Sequence, residues 1–121
     1  MKINWFEIPV SDMERAIAFY QTVFAIEIKK QEFGEVVMGQ FPPNSQEGAA
    51  TGALMMYPSY IPSEEGALLY FDSADIHTEL NRVVDAGGKI QREKTLIAPE
   101  HGYMAVFTDS EGNRIALHST D

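Results

Sequence analysis

An α+β fold built from two βαβββ units is predicted by three observations on the sequence. A strand, a helix and further strands follow one another in the first half and again in the second. Asp12 and Asp75, 63 residues apart, each stand where a helix opens. Superposing these aspartates aligns Trp5 with Leu68, Met13 with Ile76, Ile17 with Leu80 and Tyr20 with Val83. Apolar positions recurring in step are the signature of a unit written twice. A chain of 121 residues holds one domain of ordinary size, or two half-sized modules around a shared core, but not two independent domains. The units are therefore expected at about residues 1–58 and 66–121 of a single domain 1–121.

The first element is a strand, Ile3–Pro9, because bulky residues outnumber helix formers and a proline and a capping pattern end it. Ser11-Asp12-Met13-Glu14 has the form of a capping box, with Ser11 accepting from first-turn amides and Glu14 reaching back to the Ser11 amide. The helix that follows carries Met13, Ala16, Ile17, Tyr20, Val23 and Phe24 on one stripe. Ile26–Lys29, Glu35–Gly39 and Gly52–Tyr57 alternate as strands, with a Pro-Pro-Asn-Ser loop at 42–45 before the last. Prolines, serines and acids from Tyr57 to Gly66 mark a connection. The second unit begins with Leu68–Phe71 as a strand, then a helix opened by Asp75 with Ile76, Leu80, Val83 and Val84 on its inner face, stopped at Gly87-Gly88. Lys89–Gln91 resumes extended chain, Gly102–Phe107 alternates, and Asp109–Asn113 turns into a last strand, Arg114–His118.

Composition narrows the function. Eighteen acidic against nine basic residues give a net charge of −9, spread over both halves, which opposes a nucleic-acid partner. The absence of cysteine removes disulfides, thiolate metal sites and cysteine nucleophiles. No apolar run approaches the ~20 residues that cross a bilayer, and Met1–Trp5 lacks the core of a signal peptide, so the expectation is a cytoplasmic protein without membrane partners. Gly87-Gly88 has no phosphate-cradling spacing, no serine–histidine triad is recognisable, and Asn44-Ser45-Gln46 is not a glycosylation acceptor.

The paired units, the run Pro-Val-Ser-Asp-Met-Glu-Arg-Ala-Ile-Ala-Phe-Tyr at 9–20 and the turn Asp109-Ser110-Glu111-Gly112-Asn113 resemble the vicinal oxygen chelate superfamily of glyoxalase I, bleomycin-resistance proteins and extradiol dioxygenases. The resemblance covers essentially the whole chain. It implies that the sheets curl around a cavity, often completed by a second copy, and hence a homodimer. It also implies where metal ligands stand in metal-dependent members. One is seven residues before each helix-opening aspartate, here Trp5 and Leu68; one is seven past the aspartate of the final turn, here Ala116; the unit-one counterpart lies within Ala53–Met56. None of these side chains offers the nitrogen or oxygen that a hard or borderline divalent ion needs. No metal and no cofactor are expected.

Other residues can still carry function. Strand alternation sends Glu7 to the same side as Trp5, where an apolar cup would raise its pKa and suit it to act as a general base or to receive a ligand amine. The plain alternative is that Glu7 meets solvent at a strand end or pairs with Arg15 or Arg114. His118, two residues past Ala116, is expected on the cavity side with a ligand-contact or acid/base role. His101 enters a strand from a loop, as binding residues often do, whereas His77 is expected on the exposed face of the second helix. Trp5, Tyr57, Tyr70 and Tyr103 suit a flat or partly apolar ligand if they gather at the cup, and are core if they do not; Met38, Met55 and Met56 could line it. The leading expectation is a protein that binds a small organic molecule without metal. The alternatives are a metal-independent lyase or isomerase using Glu7 or His118, and a metal-dependent glyoxalase-like or dioxygenase-like enzyme with displaced ligands such as those two residues.

Overall fold

In the computed structural model, which describes residues 1–43 and 49–121, ten elements follow the expected order. They are β1 (Trp5–Pro9), α1 (Met13–Phe24), β2 (Lys29–Phe33), β3 (Val36–Gln40), β4 (Thr51–Met56), β5 (Leu69–Asp72), α2 (Ile76–Ala86), β6 (Lys89–Ala98), β7 (Gly102–Thr108) and β8 (Arg114–Ser119). The loop and the glycosylation reading that involve Asn44, Ser45 and Gln46 lie outside the described residues. Two four-stranded mixed sheets result, β1-β4-β3-β2 and β5-β8-β7-β6, each closed by a parallel pair between its first and last strands.

The repeat extends to the hydrogen-bond register. Phe6 pairs with Gly52 and Ile8 with Leu54; adding 63 to each number gives the observed pairs Leu69 with Ile115 and Phe71 with Leu117. Alternation then divides each sheet into two faces. Ile8, Val10 and Leu54 in the first sheet, and Ala105, Phe107, Ile115 and Leu117 in the second, join Met13, Phe19, Tyr20, Ile76, Leu80 and Val83 of the helices in one core cluster. Ala53, Met55, Val106 and Ala116 are buried outside that cluster, on the opposite, helix-free faces. Among the described residues no helix is long and apolar enough to cross a membrane.

Several boundaries differ from expectation for identifiable reasons. Asp12, and not Ser11, caps α1: its carboxylate accepts from Arg15 N at 3.1 Å, while the Ser11 and Asp12 amides both donate to Glu111 Oε1 at 2.9 Å. Glu14 does not reach back; it takes Lys30 Nζ at 2.7 Å. Asp75 caps α2 as expected, accepting from His77 N at 3.1 Å. Ala25 leaves α1 in the left-handed region, so the chain crosses to the sheet before it can pair. Ile26–Ile28 therefore lies over the core as a connection and not a strand: Ile28 is buried and its amide donates to Gln21 Oε1 at 2.9 Å. The strand begins at Lys29, and all five of its residues are exposed. Val84 is 61% exposed, because the buried stripe of α2 is Ile76, Leu80 and Val83. β6 runs to Ala98, far beyond Gln91, with register shifts after Ile90, Arg92 and Leu96 that disrupt the alternation by which a strand is read.

Candidate functional site

The two helix-free faces are the ground on which the expected residues fall. On the first, register sets Trp5 beside Thr51, Glu7 beside Ala53, and Met38 beside Met55. The indole Nε1 of Trp5 donates to Glu7 Oε2 at 3.2 Å, so the two act as one unit. Both are exposed, and the burial that would have desolvated Glu7 is absent. Neither Arg15 nor Arg114 forms an ion pair with it among the described residues; Arg15 is committed to Glu111. Glu7 and Arg114 nonetheless line the same cavity of about 360 Å³, at the junction of the units, with Ile61, Glu65 and Leu69.

On the second face, Tyr70 lies beside Ala116, and Asp72 and Met104 lie beside His118. Tyr70 is 52% exposed and borders a cavity of about 660 Å³ reached by the N-terminal residues. Arg92, opposite Val106, belongs to the same face; the bulge next to it hides it from a reading by alternation. His118 reaches the expected face, but its Nε2 is 2.6 Å from the carbonyl oxygen of His101, to which it donates. His101 is brought to the face by its backbone, and no hydrogen bond or ion pair joins Glu7 to His118 among the described residues.

The remaining aromatic residues are not gathered with these. Tyr57 packs against Tyr60, ring centroids 5.7 Å apart, and borders a separate cavity of about 430 Å³ with Val10 and Met56. Tyr103 lies on the core side of its sheet, opposite Ser119, with Lys94 Nζ 4.7 Å from its ring centroid. His77 is exposed on α2.

A polar cluster that spacing does not advertise joins the units. Asp109, 3% exposed, accepts from the Glu111 amide at 2.8 Å, the Asn113 amide at 2.9 Å and the Tyr20 hydroxyl at 2.6 Å. Asn113 Nδ2 in turn donates to the Pro9 carbonyl at 2.7 Å. Burial, then the adjacent Asp109 carboxylate, pushes the Tyr20 hydroxyl well above the usual tyrosine range, so it stays a donor. Glu111 takes Arg15 Nε at 2.7 Å and Nη2 at 3.0 Å in addition to the two helix-opening amides. Burial pushes its carboxyl upward, but the Arg15, Asp12, Ser11 and Ser110 donors outweigh that and hold it below the usual carboxylate range. Only the final-turn motif, joined to the helix-one motif, could have pointed to this contact.

The positions where the family's ions are held do not fit a metal. The register equates Ala53 with Ala116, and both are fully buried methyl groups without a donor atom. Trp5 and Leu68 add none, and among the described residues no group of three or more His, Asp and Glu side chains could hold an ion.

Paired βαβββ units with a helix-free face on each sheet define a protein of the glyoxalase-like class. Residues 2–117 match the Glyoxalase/Bleomycin resistance protein/Dioxygenase superfamily, and the chain belongs to it. A glyoxylase-like domain-containing protein from Didymella fabae is 26% identical over 121 residues, covering 96% of this chain and 91% of the relative. Among solved structures, a glyoxalase I mutant from Zea mays is similar with a TM-score of 0.72 at 17% identity, covering 97% of this chain. This chain spans only 45% of that enzyme. TnmS3, an antibiotic binding protein from Streptomyces sp. CB03234, is similar with a TM-score of 0.69 at 23% identity, covering 100% of this chain and 97% of that one.

Proposed function

We propose that the protein binds a small organic molecule on the helix-free face around Trp5 and Glu7, with no metal at the family's ligand positions. The observation that carries this reading is the chemistry of those positions: Ala53 and Ala116 are buried methyl groups, flanked by Glu7 and Tyr70 on the neighbouring strands. A surface without donor atoms at those positions but with an accessible indole and a carboxylate beside them can bind by aromatic contact and a charge-assisted hydrogen bond. The likeness to an antibiotic binding protein of almost the same length supports it. Trp5, Phe33 and Tyr70 are exposed, and a second copy covering them would complete the cavity.

Trp5 is the only tryptophan, so its emission reports occupancy. Cationic glycopeptides and aromatic amines should quench it saturably, and Glu7→Gln should weaken a cationic ligand by roughly 1–3 kcal/mol. Emission unmoved by every compound, or one equivalent of tightly bound Zn, Ni, Fe or Mn in protein purified without chelator, would overturn the reading. Light scattering tests the pairing: a 13.5 kDa particle at micromolar concentration contradicts it.

A further inference from the structure

The helix-covered side of the junction holds a second cavity that the Trp5–Glu7 reading does not use. It measures about 350 Å³ and draws on both units: Phe6 of β1, Phe24 of α1, Phe41 after β3, Phe71 and Asp72 of β5, and Glu79 of α2. Its wall is aromatic. Phe71 has ring centroids of Phe24 at 5.1 Å, Phe6 at 5.6 Å and Phe41 at 6.2 Å around it, and Phe6 lies 5.6 Å from Phe41. A sealed core would bury all four rings, yet only Phe41 is buried; Phe6, Phe24 and Phe71 are each partly exposed. Among the described residues, phenyl surface is therefore left open at the place where the two units meet.

The polar part of the cavity is acidic. Glu79 lines it from α2, and Asp72, the last residue of β5, borders it as well as the cavity beside Tyr70; no lysine, arginine or histidine forms an ion pair with either among the described residues. Glu79 is held in place by the hydroxyl of the buried Ser73, which donates to its Oε1. Phenyl rings attract a cation through their negative faces, and two carboxylates without counter-ions add long-range attraction in a chain already at −9. An anion would be repelled, and a neutral ligand would leave the carboxylates unused.

We propose that this cavity is a binding site for a small organic cation, an alkyl- or arylammonium group whose charged head meets Asp72 and Glu79 and whose hydrocarbon rests on the four phenyl rings. The volume lies within the usual range of small-molecule sites. The site does not rest on the reading of the Trp5–Glu7 face: Phe6 points to the core side of β1, and Trp5 and Glu7 to the other.

Phenyltrimethylammonium and tert-butylbenzene have nearly the same shape and differ in charge, so titrating each into the full-length protein separates charge from apolar burial. The ammonium compound should bind saturably, shift its methyl protons upfield by ring currents and perturb the Phe24, Phe71 and Glu79 amides. Glu79→Gln keeps an oxygen for the Ser73 hydroxyl and removes only charge; it and Asp72→Asn should each weaken binding roughly five- to tenfold. Glu7→Gln should leave the affinity read from the Phe24, Phe71 and Glu79 amides unchanged, whether or not Glu7 serves the other face, which Trp5 emission reports separately. Equal affinity for the neutral isostere, no saturation at millimolar concentration, or unchanged binding in both carboxylate variants would each overturn the proposal. So would loss of the Phe24, Phe71 and Glu79 amide response in Glu7→Gln, which would move the cation to the Trp5 face.

Discussion

Unit one and unit two share a hydrogen-bond ladder but fill it differently. Where β1 and β4 pair Phe6 with Gly52, β5 and β8 pair Leu69 with Ile115 at the corresponding step. The bulk of one partner has been exchanged for that of the other. A side chain at Gly52 would place its Cβ 2.2 Å from the Phe6 carbonyl oxygen and 2.7 Å from the Phe6 ring, whereas Ile115 sits buried beside Leu69. Among the described residues, the latch between the units centres on the final turn of unit two. The final turn of unit two closes on α1 through Asp109 and Glu111 and on the Pro9 carbonyl of β1 through Asn113; α2, also of unit two, adds Arg82, whose Nη1 donates to the Val23 carbonyl at 3.0 Å. The repeat keeps what the backbone needs, namely register and alternation. Packing volume and buried polar contacts are free to diverge, since each has to be satisfied only once.

Breaking the latch at the final turn of unit two should have the largest effect. Asp109→Ala leaves the Tyr20 hydroxyl and two backbone amides without their acceptor in a buried turn, and should cost about 4–5 kcal/mol in urea unfolding. A loss below about 1 kcal/mol would mean that the turn is not what joins the units.

The volume exchange is tested by Gly52→Ala, expected to cost about 1–3 kcal/mol because a strand must move aside. Phe6→Leu, which copies unit two at that step, should restore only part of this, since the carbonyl contact remains. Full rescue would show that the ring alone sets the requirement.

The smallest effect is the pH dependence of Glu111. Its carboxyl is held below the usual carboxylate range in the folded state, so its contribution is present above the ordinary carboxylate pKa and disappears as pH falls through the depressed folded value. Glu111→Gln should flatten that acid limb when urea midpoints are followed from neutral pH to about pH 3. An acid limb identical to that of the parent protein would assign it to other carboxylates.

The sequence by itself determined the order of elements, the helix opening at Asp75, the stop at Gly87 and the 63-residue repeat, because each is a local matter of capping, turn chemistry or side-chain period. At the first helix it marked the start but assigned the cap to Ser11, since nothing local shows that Glu111 of the other unit takes the Ser11 amide. It also determined the chemical poverty of the metal positions, since Trp5, Leu68 and Ala116 lack donors in any fold. The start of β2 and the length of β6 escaped it. Ile26 and Ile28 alternate as a strand would, yet lie over the core after a left-handed Ala25, and the bulges of β6 interrupt the period by which strands are recognised. Only tertiary structure decided which aromatic residues share a cavity. Tyr103 sits one step from Met104 in sequence but on the other face, and Phe6, Phe24, Phe41 and Phe71 meet only because the two units close on each other. Whether a given ring is core or cavity wall depends on which distant residue stops short of covering it, and nothing local in the chain records that distance.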